Sequence, residues 1–297
     1  MVVSFADRLV SKIMDKQSHV VVGLDPYPDL IPGEIRGESS PAKLDREGWA
    51  GVFRSFFLQL LPEIAESAVA VKPQIAFFER LGAPGLQVYE ELVGKAAELG
   101  LLVIGDVKRG DIGSTAEAYA DAHLDVLGAD AVTVNPYFGT DGMEPFLTRV
   151  RDRGKGVFVL VRTSNPSAGE IQDVEVGSGG TLYSHVAGLV RRWGEGTLGE
   201  LGYCSVGAVV GGTGSDQAGV VRRLLPEAPL LIPGYGAQGA SALDLVGLFG
   251  DEGRGAIVNS SRGILYAYRS RGGDWRRAAR EEAEEMRKML WRVAHGN

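Results

Sequence analysis

The sequence predicts a (β/α)8 barrel, an α/β fold in one domain spanning residues 1–297, and three observations predict it. Eight short apolar runs, rich in β-branched residues, recur along the chain. Most end in Gly, Pro, Asp or Asn, and helical patterns fill several of the gaps. Strand and helix signals in alternation specify a parallel sheet, and eight such units without a break specify a closed barrel. A doubly wound open sheet is the alternative arrangement of the same units.

The chain opens with SFADRLVSKIM, an amphipathic helix in which Ser4 is the cap, Asp7 the third helical residue, and Phe5, Leu9 and Ile13 one apolar face. The predicted strands follow at Val20–Pro26, Ala68–Pro73, Leu101–Asp106, Ala131–Pro136, Gly156–Pro166, Gly207–Thr213, Leu230–Gly236 and Ala256–Gly263. VFRSFFLQLLPEIA, VYEELVGKAAELG and AEAYADAHLDVLG supply the helices before the second, third and fourth strands. Ser114 with Glu117 three residues on reads as a capping box that starts the last of these. Two stretches read as inserted loops, near residues 27–48 and 167–185, each longer than an ordinary βα connection. The final helix, DWRRAAREEAEEMRKMLWRV, aligns Trp275, Ala279, Met286, Leu290 and Val293 and leaves a charged, solvated face.

The most informative stretch is IGDVKRGDIGST. Alternation along a strand projects Asp106 and Lys108 the same way, and Asp111 falls in the turn beyond. Two acids and a base are thereby gathered at the end of a strand, where α/β proteins place their chemistry. In a barrel the other strand ends open on the same face, which brings Asp25, Lys72, Ser164, Gln238 and Arg262 toward this group. A lysine ending the apolar run AVAV is costly unless it meets a carboxylate, and Asp106 is the expected partner of Lys72. PGYGAQG, with backbone N–H groups in a glycine turn, and Arg262 in NSSRG suit a phosphate held after the seventh and eighth strands. Gly234, Gly236 and Gly239 also spell GxGxxG, but no acid stands at the offset a dinucleotide site uses. DAHLD, from Asp121 to Asp125, reads as a surface helix face and not as a metal site.

Net charge is −7, which supplies no basic field for nucleic acid or anionic lipid. No apolar run approaches the roughly 18 residues a membrane span needs, and charges come too early for a signal peptide. The one cysteine, Cys204, excludes an internal disulfide framework and fits core filling in a reducing cytoplasm.

Together, GLDP at Asp25, VKPQIAFFE at Lys72, DVKRGDIGSTA from Asp106 to Thr115, RTSNPSAGEIQ at Ser164, PGYGAQG at Gln238 and SSRG at Arg262 resemble the orotidine 5′-phosphate decarboxylase family, in its longer bacterial branch. The resemblance covers nearly the whole chain. It implies a cofactor-free, metal-free decarboxylation of orotidine 5′-monophosphate to uridine 5′-monophosphate, in which Lys108 stabilises and protonates the C6 carbanion. It further implies a charged tetrad of Lys72, Asp106, Lys108 and Asp111, with Asp111 contributed across a homodimer interface. Asp25 and Lys72 would bind ribose hydroxyls, and Ser164 would read the pyrimidine. Gln238 and Arg262 would hold the phosphate, while Ile112 and Thr115 would line the site from the partner subunit. The loop from Ser167 to His185 takes a lid role. DxKxxD alone also fits the magnesium-dependent sugar-phosphate decarboxylases and aldolases of the same superfamily, and a non-catalytic nucleotide binder is the reading from another class.

Overall fold

The computed structural model describes residues 2–37, 44–177, 179–212, 215–234, 245–250 and 252–296. Helix α1 (Phe5–Lys16) leads into β1 (Val20–Leu24), followed by α2 (Gly33–Arg36) and α3 (Arg46–Ile64). Next come β2 (Ala68–Pro73), α4 (Ile75–Glu79), α5 (Ala83–Glu98), β3 (Leu102–Arg109), α6 (Gly113–Ala120), β4 (Ala131–Val134) and α7 (Gly139–Arg153). The second half holds β5 (Gly156–Arg162), α8 (Gly169–Gln172), α9 (Leu182–Gly194), β6 (Val206–Val210), α10 (Ser215–Leu224), β7 (Leu230–Ile232) and β8 (Ala256–Ser260). Helices α11 (Arg262–Leu265), α12 (Tyr268–Arg271) and α13 (Trp275–His295) close the chain. Each strand pairs in parallel with the next, and β1 pairs with β8, so the sheet is the closed barrel expected.

Two apolar layers hold it together, because alternate residues of every strand face opposite ways. Val20, Val22 and Leu24 of β1 join the core under the helices, whereas Val21 joins Ala70, Leu102, Ile104, Ala131, Phe158, Val209, Leu231 and Ile257 inside the barrel. Helix α1 plugs the end of the barrel opposite the site: Phe5, Leu9 and Ile13 belong to the interior cluster, and Phe5 meets Phe158 edge-on with centroids 5.9 Å apart. Gly156 admits that ring, since a Cβ there would lie 2.3 Å from a Phe5 carbon. The Ser4 hydroxyl caps α1 by accepting from the Asp7 N–H, as its sequence predicts.

The expected capping box at Ser114 does not form. Helix α6 starts two residues earlier, at Gly113, with Ile112 at the cap position and no side-chain cap bond, and Ser114 is already inside the first turn. The continuation from Asp121 to Val126 is π-helical and only in part the expected surface face: Asp121 and Val126 are exposed, but the middle of the segment turns inward. His123 is buried, and Asp125 binds Arg149 at 3.0 Å and Arg153 at 2.6 Å. Asp125 is thus paired with two arginines of α7, whereas the His123 ring is buried without a partner for its Nδ1 among the described residues. Beyond β5, the Arg162 guanidinium grips Asp173 through two bonds of 2.9 and 3.0 Å. Helix α9 begins at Leu182, capped by the Thr181 and Ser184 hydroxyls in a reciprocal box.

Candidate active site

The site forms at the C-terminal ends of the strands. Lys72 is the penultimate residue of β2 and pairs in register with Gly23 of β1, whose missing side chain leaves space occupied by Ser261. A Cβ on residue 23 would fall 1.9 Å from the Ser261 hydroxyl, so only glycine permits this approach. The Lys72 ammonium donates to Asp106 Oδ2 at 2.6 Å, and both residues are buried.

Asp106 collects four donors. Oδ2 accepts from Lys72 and from the Gln74 amide at 3.1 Å; Oδ1 accepts from the Lys108 ammonium and from the Thr133 hydroxyl at 2.9 Å. Burial alone would raise the Asp106 carboxyl, but Lys72 and Lys108 outweigh it and hold the group far below the usual carboxylate range. Burial likewise opposes the charge on Lys72, and Asp106 and then Asp25 overcome it, so its pKa lies above that of an ordinary lysine. The floor of the site is therefore a permanently ionised carboxylate between two cations.

Lys108 reaches Asp106 by a route that alternation alone does not describe. Pairing between β3 and β4 runs Gly105 with Val132 and then Arg109 with Val134, so three residues of β3 stand against Thr133 alone. Lys108 takes a left-handed φ of +47° within this bulge. A non-glycine residue pays sterically for that conformation, and such residues concentrate at functional sites.

Ser164 lines the same cavity as Lys72, Asp106, Lys108 and Thr133, together with Leu160, Val209, Leu231 and Pro233; its volume is about 210 Å3. The Gln172 side chain pins the neighbouring Thr163 N–H at 2.8 Å. Asp25 lies just beyond β1, where the Tyr266 hydroxyl donates to its carbonyl at 3.2 Å, and among the described residues its buried Oδ1 meets no partner. Arg262 is exposed at the start of α11, just after β8. Gln238 lies outside the described residues.

Asp111, Ile112 and Thr115 are not brought to this cavity. Asp111 Oδ1 accepts from the Ile112 N–H at 2.8 Å, Ile112 is 55% exposed, and Thr115 is exposed on α6. Sequence reasoning missed Gln74 and Thr133. Both carried a signal: Gln74 stands two residues after Lys72, on its face, and Thr133 is the single polar residue of AVTV.

Comparison with known proteins agrees with this geometry. The sequence pattern of the "Orotidine 5′-phosphate decarboxylase / HUMPS family" matches residues 18–277. The orotidine 5′-phosphate decarboxylase of Rhodopirellula baltica is 40% identical over 301 residues, covering 97% of this chain and 99% of that one. The enzyme of the same name from Deinococcus radiodurans is 41% identical over 97% of each chain. The structure of Leishmania donovani OMP decarboxylase superposes with a TM-score of 0.76 at 32% identity, covering 97% of this chain and 98% of that one. A closed eight-stranded barrel, a Lys–Asp–Lys array at its mouth and relatives matched end to end lead to one assignment: this chain belongs to the orotidine 5′-phosphate decarboxylase / HUMPS family.

Proposed function

We propose that this chain converts orotidine 5′-monophosphate to uridine 5′-monophosphate by direct decarboxylation, the last step of pyrimidine nucleotide synthesis, as a cytoplasmic homodimer. The observation that carries the reading is the buried Asp106 carboxylate, held ionised between the Lys72 and Lys108 ammonium groups in one cavity. In the reaction the C6–carboxylate bond breaks, CO2 leaves, and its electron pair stays on C6. The Lys108 ammonium stabilises that carbanion and then transfers a proton to it, and solvent reprotonates the amine.

Repulsion between Asp106 and the substrate carboxylate is worth roughly 4 kcal/mol at about 4 Å with an effective dielectric near 20. Enzymes commonly lower barriers by about 8–23 kcal/mol, so most of the effect must come from the positioned Lys108 charge. Lys72 keeps Asp106 ionised, and Asp106 in turn holds the Lys108 ammonium in place. Asp25 and Lys72 bind ribose hydroxyls, Ser164 reads the base, and Gln238 and Arg262 take the phosphate, whose binding energy favours closure over the reacting carbon. The reading assigns no metal and no cofactor.

The homodimer is supported by where Asp111 stands. It does not line the cavity formed by Lys72, Asp106 and Lys108 of its own chain, and it stands beside an exposed apolar strip of Ile112, Tyr137 and Phe138, which are 55%, 87% and 45% exposed. A second copy covering that strip carries Asp111 toward the Lys72 and Lys108 of its partner, with Ile112 and Thr115 beside it. Neither nucleic acid nor a membrane is a partner in this reading, and among the described residues no helix is long and apolar enough to cross a membrane.

The test is turnover of orotidine 5′-monophosphate by EDTA-treated protein, followed by ultraviolet absorbance, with Lys108→Ala as control. Metal-independent loss of substrate in the wild type alone is expected. No loss from a folded, dimeric sample overturns the reading.

A further inference from the structure

The bulge that carries Lys108 leaves β3 with two backbone donors that the β4 ladder does not receive, and one side chain takes both. The Thr133 Oγ1 accepts from the Val107 N–H and the Lys108 N–H, each at 3.0 Å, and donates to Asp106 Oδ1 at 2.9 Å. Thr133 is 1% exposed and its side chain faces the cavity. A hydroxyl has two lone pairs and one proton, and here all three are committed. With both lone pairs occupied by backbone N–H groups, the proton has one remaining direction, toward Asp106. The same oxygen thus bonds the left-handed residue and the carboxylate that the residue's ammonium grips.

We propose that Thr133 is a positioning residue for the decarboxylation, its hydroxyl locking the β3 bulge so that Lys108 presents its ammonium at Asp106 and the reacting carbon. This rests on the decarboxylase reading for its kinetic consequence, but not for its structural one. A buried hydroxyl replaced by a methyl leaves two N–H groups and one carboxylate lone pair without partners, and the left-handed conformation of Lys108 loses its anchor. Thr133 does not touch the transferred proton. It acts through Lys108, and also through the number of donors on Asp106.

Three variants of the whole chain test it. Thr133→Val keeps shape and strand propensity while removing the hydroxyl, and Thr133→Ser keeps the hydroxyl while removing the methyl. Thr133→Ala removes both. The expected result for Val is a fall in kcat of roughly 10²-fold, the scale of a misplaced reacting group, with KM changed by less than about threefold. Asp106 stays ionised in Val because Lys72 and Lys108 remain, so the loss is the same across the pH range, and Ser restores most of kcat. Hydrogen exchange of the 105–110 backbone, read by mass spectrometry, accelerates in Val and Ala but not in Ser. Wild-type kcat in Val overturns the proposal, as does a loss that Ser fails to rescue. If the wild type turns over no orotidine 5′-monophosphate, the reaction assigned above falls; exchange at 105–110 then still decides whether Thr133 holds Lys108, and unchanged exchange in Val overturns it.

Discussion

The Nζ atom of Lys72 lies 2.6 Å from Oδ2 of Asp106, with the two residues only 5% and 6% exposed. Each is the condition for the other's charge. Burying either ion alone costs far more than the pair, so removing one partner strands the other. Asp106→Asn should therefore lower stability by about 3–5 kcal/mol, seen as a reduced urea midpoint, with Lys72→Met/Asp106→Asn recovering part of it. Equal stability of the single variant and the wild type would show that water reaches Lys72 in the folded protein.

Lys108→Ala removes the ammonium that meets the developing carbanion but leaves the ribose and phosphate contacts. We expect kcat to fall at least ~10³-fold while uridine 5′-monophosphate still binds within a few-fold of wild type, as calorimetry would measure. Loss of binding parallel to loss of rate would assign Lys108 to ground-state affinity.

Asp111 tests the composite site. Asp111→Ala should leave the thermal midpoint nearly unchanged, because its side chain bonds only locally, and should abolish turnover. Mixing inactive Asp111→Ala with inactive Lys108→Ala, after dissociation and reassociation, should restore about a quarter of wild-type activity: about half the dimers are mixed and each has one intact site. No recovery from reassociated dimers would place Asp111 in its own subunit's site.

Arg262→Ala should raise KM for orotidine 5′-monophosphate by roughly 10²-fold, the worth of a charge-assisted contact of about 2–3 kcal/mol. Its effect should vanish with the nucleoside orotidine, which has no phosphate to grip. An equal loss on both substrates would mean that Arg262 shapes the fold.

Acid should destabilise the fold through two buried histidines. His19, against the Ala256 carbonyl at 2.8 Å, is lowered to about 4 by burial, with His295 adding to it; His123 is lowered to about 4 by burial and by Arg109. Unfolded histidine titrates near 6.5, so between 6.5 and 4 the unfolded chain binds more protons. Stability is full above pH 6.5 and falls as the pH drops through that window, by up to about 3 kcal/mol per histidine. Denaturation midpoints at several pH values measure it, and His19→Asn, which keeps a donor for Ala256, should show a shallower slope. An unchanged slope would assign the acid sensitivity elsewhere.

The eight strands, the capping of α1, the buried face of α13 and the Lys72–Asp106 pair were all legible in the chain. Each rests on local periodicity or on a simple energetic rule: a charge at the end of an apolar run needs an opposite charge. The start of α6 was not legible: Ser114 and Glu117 have the spacing of a capping box, but the helix begins at Gly113 with Ile112 at the cap position. The burial of His123 and the pairing of Asp125 with Arg149 accompany a π-helical step that the local period does not announce.

The order and period of the apolar runs specify the barrel and which residue types reach its mouth. How they meet there is set by contacts between strands. The left-handed Lys108, the Lys108 and Thr133 donors on Asp106 and the threefold engagement of Thr133 follow from a register shift between β3 and β4, where the paired residues Arg109 and Val134 stand 25 positions apart, and such a shift leaves no mark in either strand's own pattern.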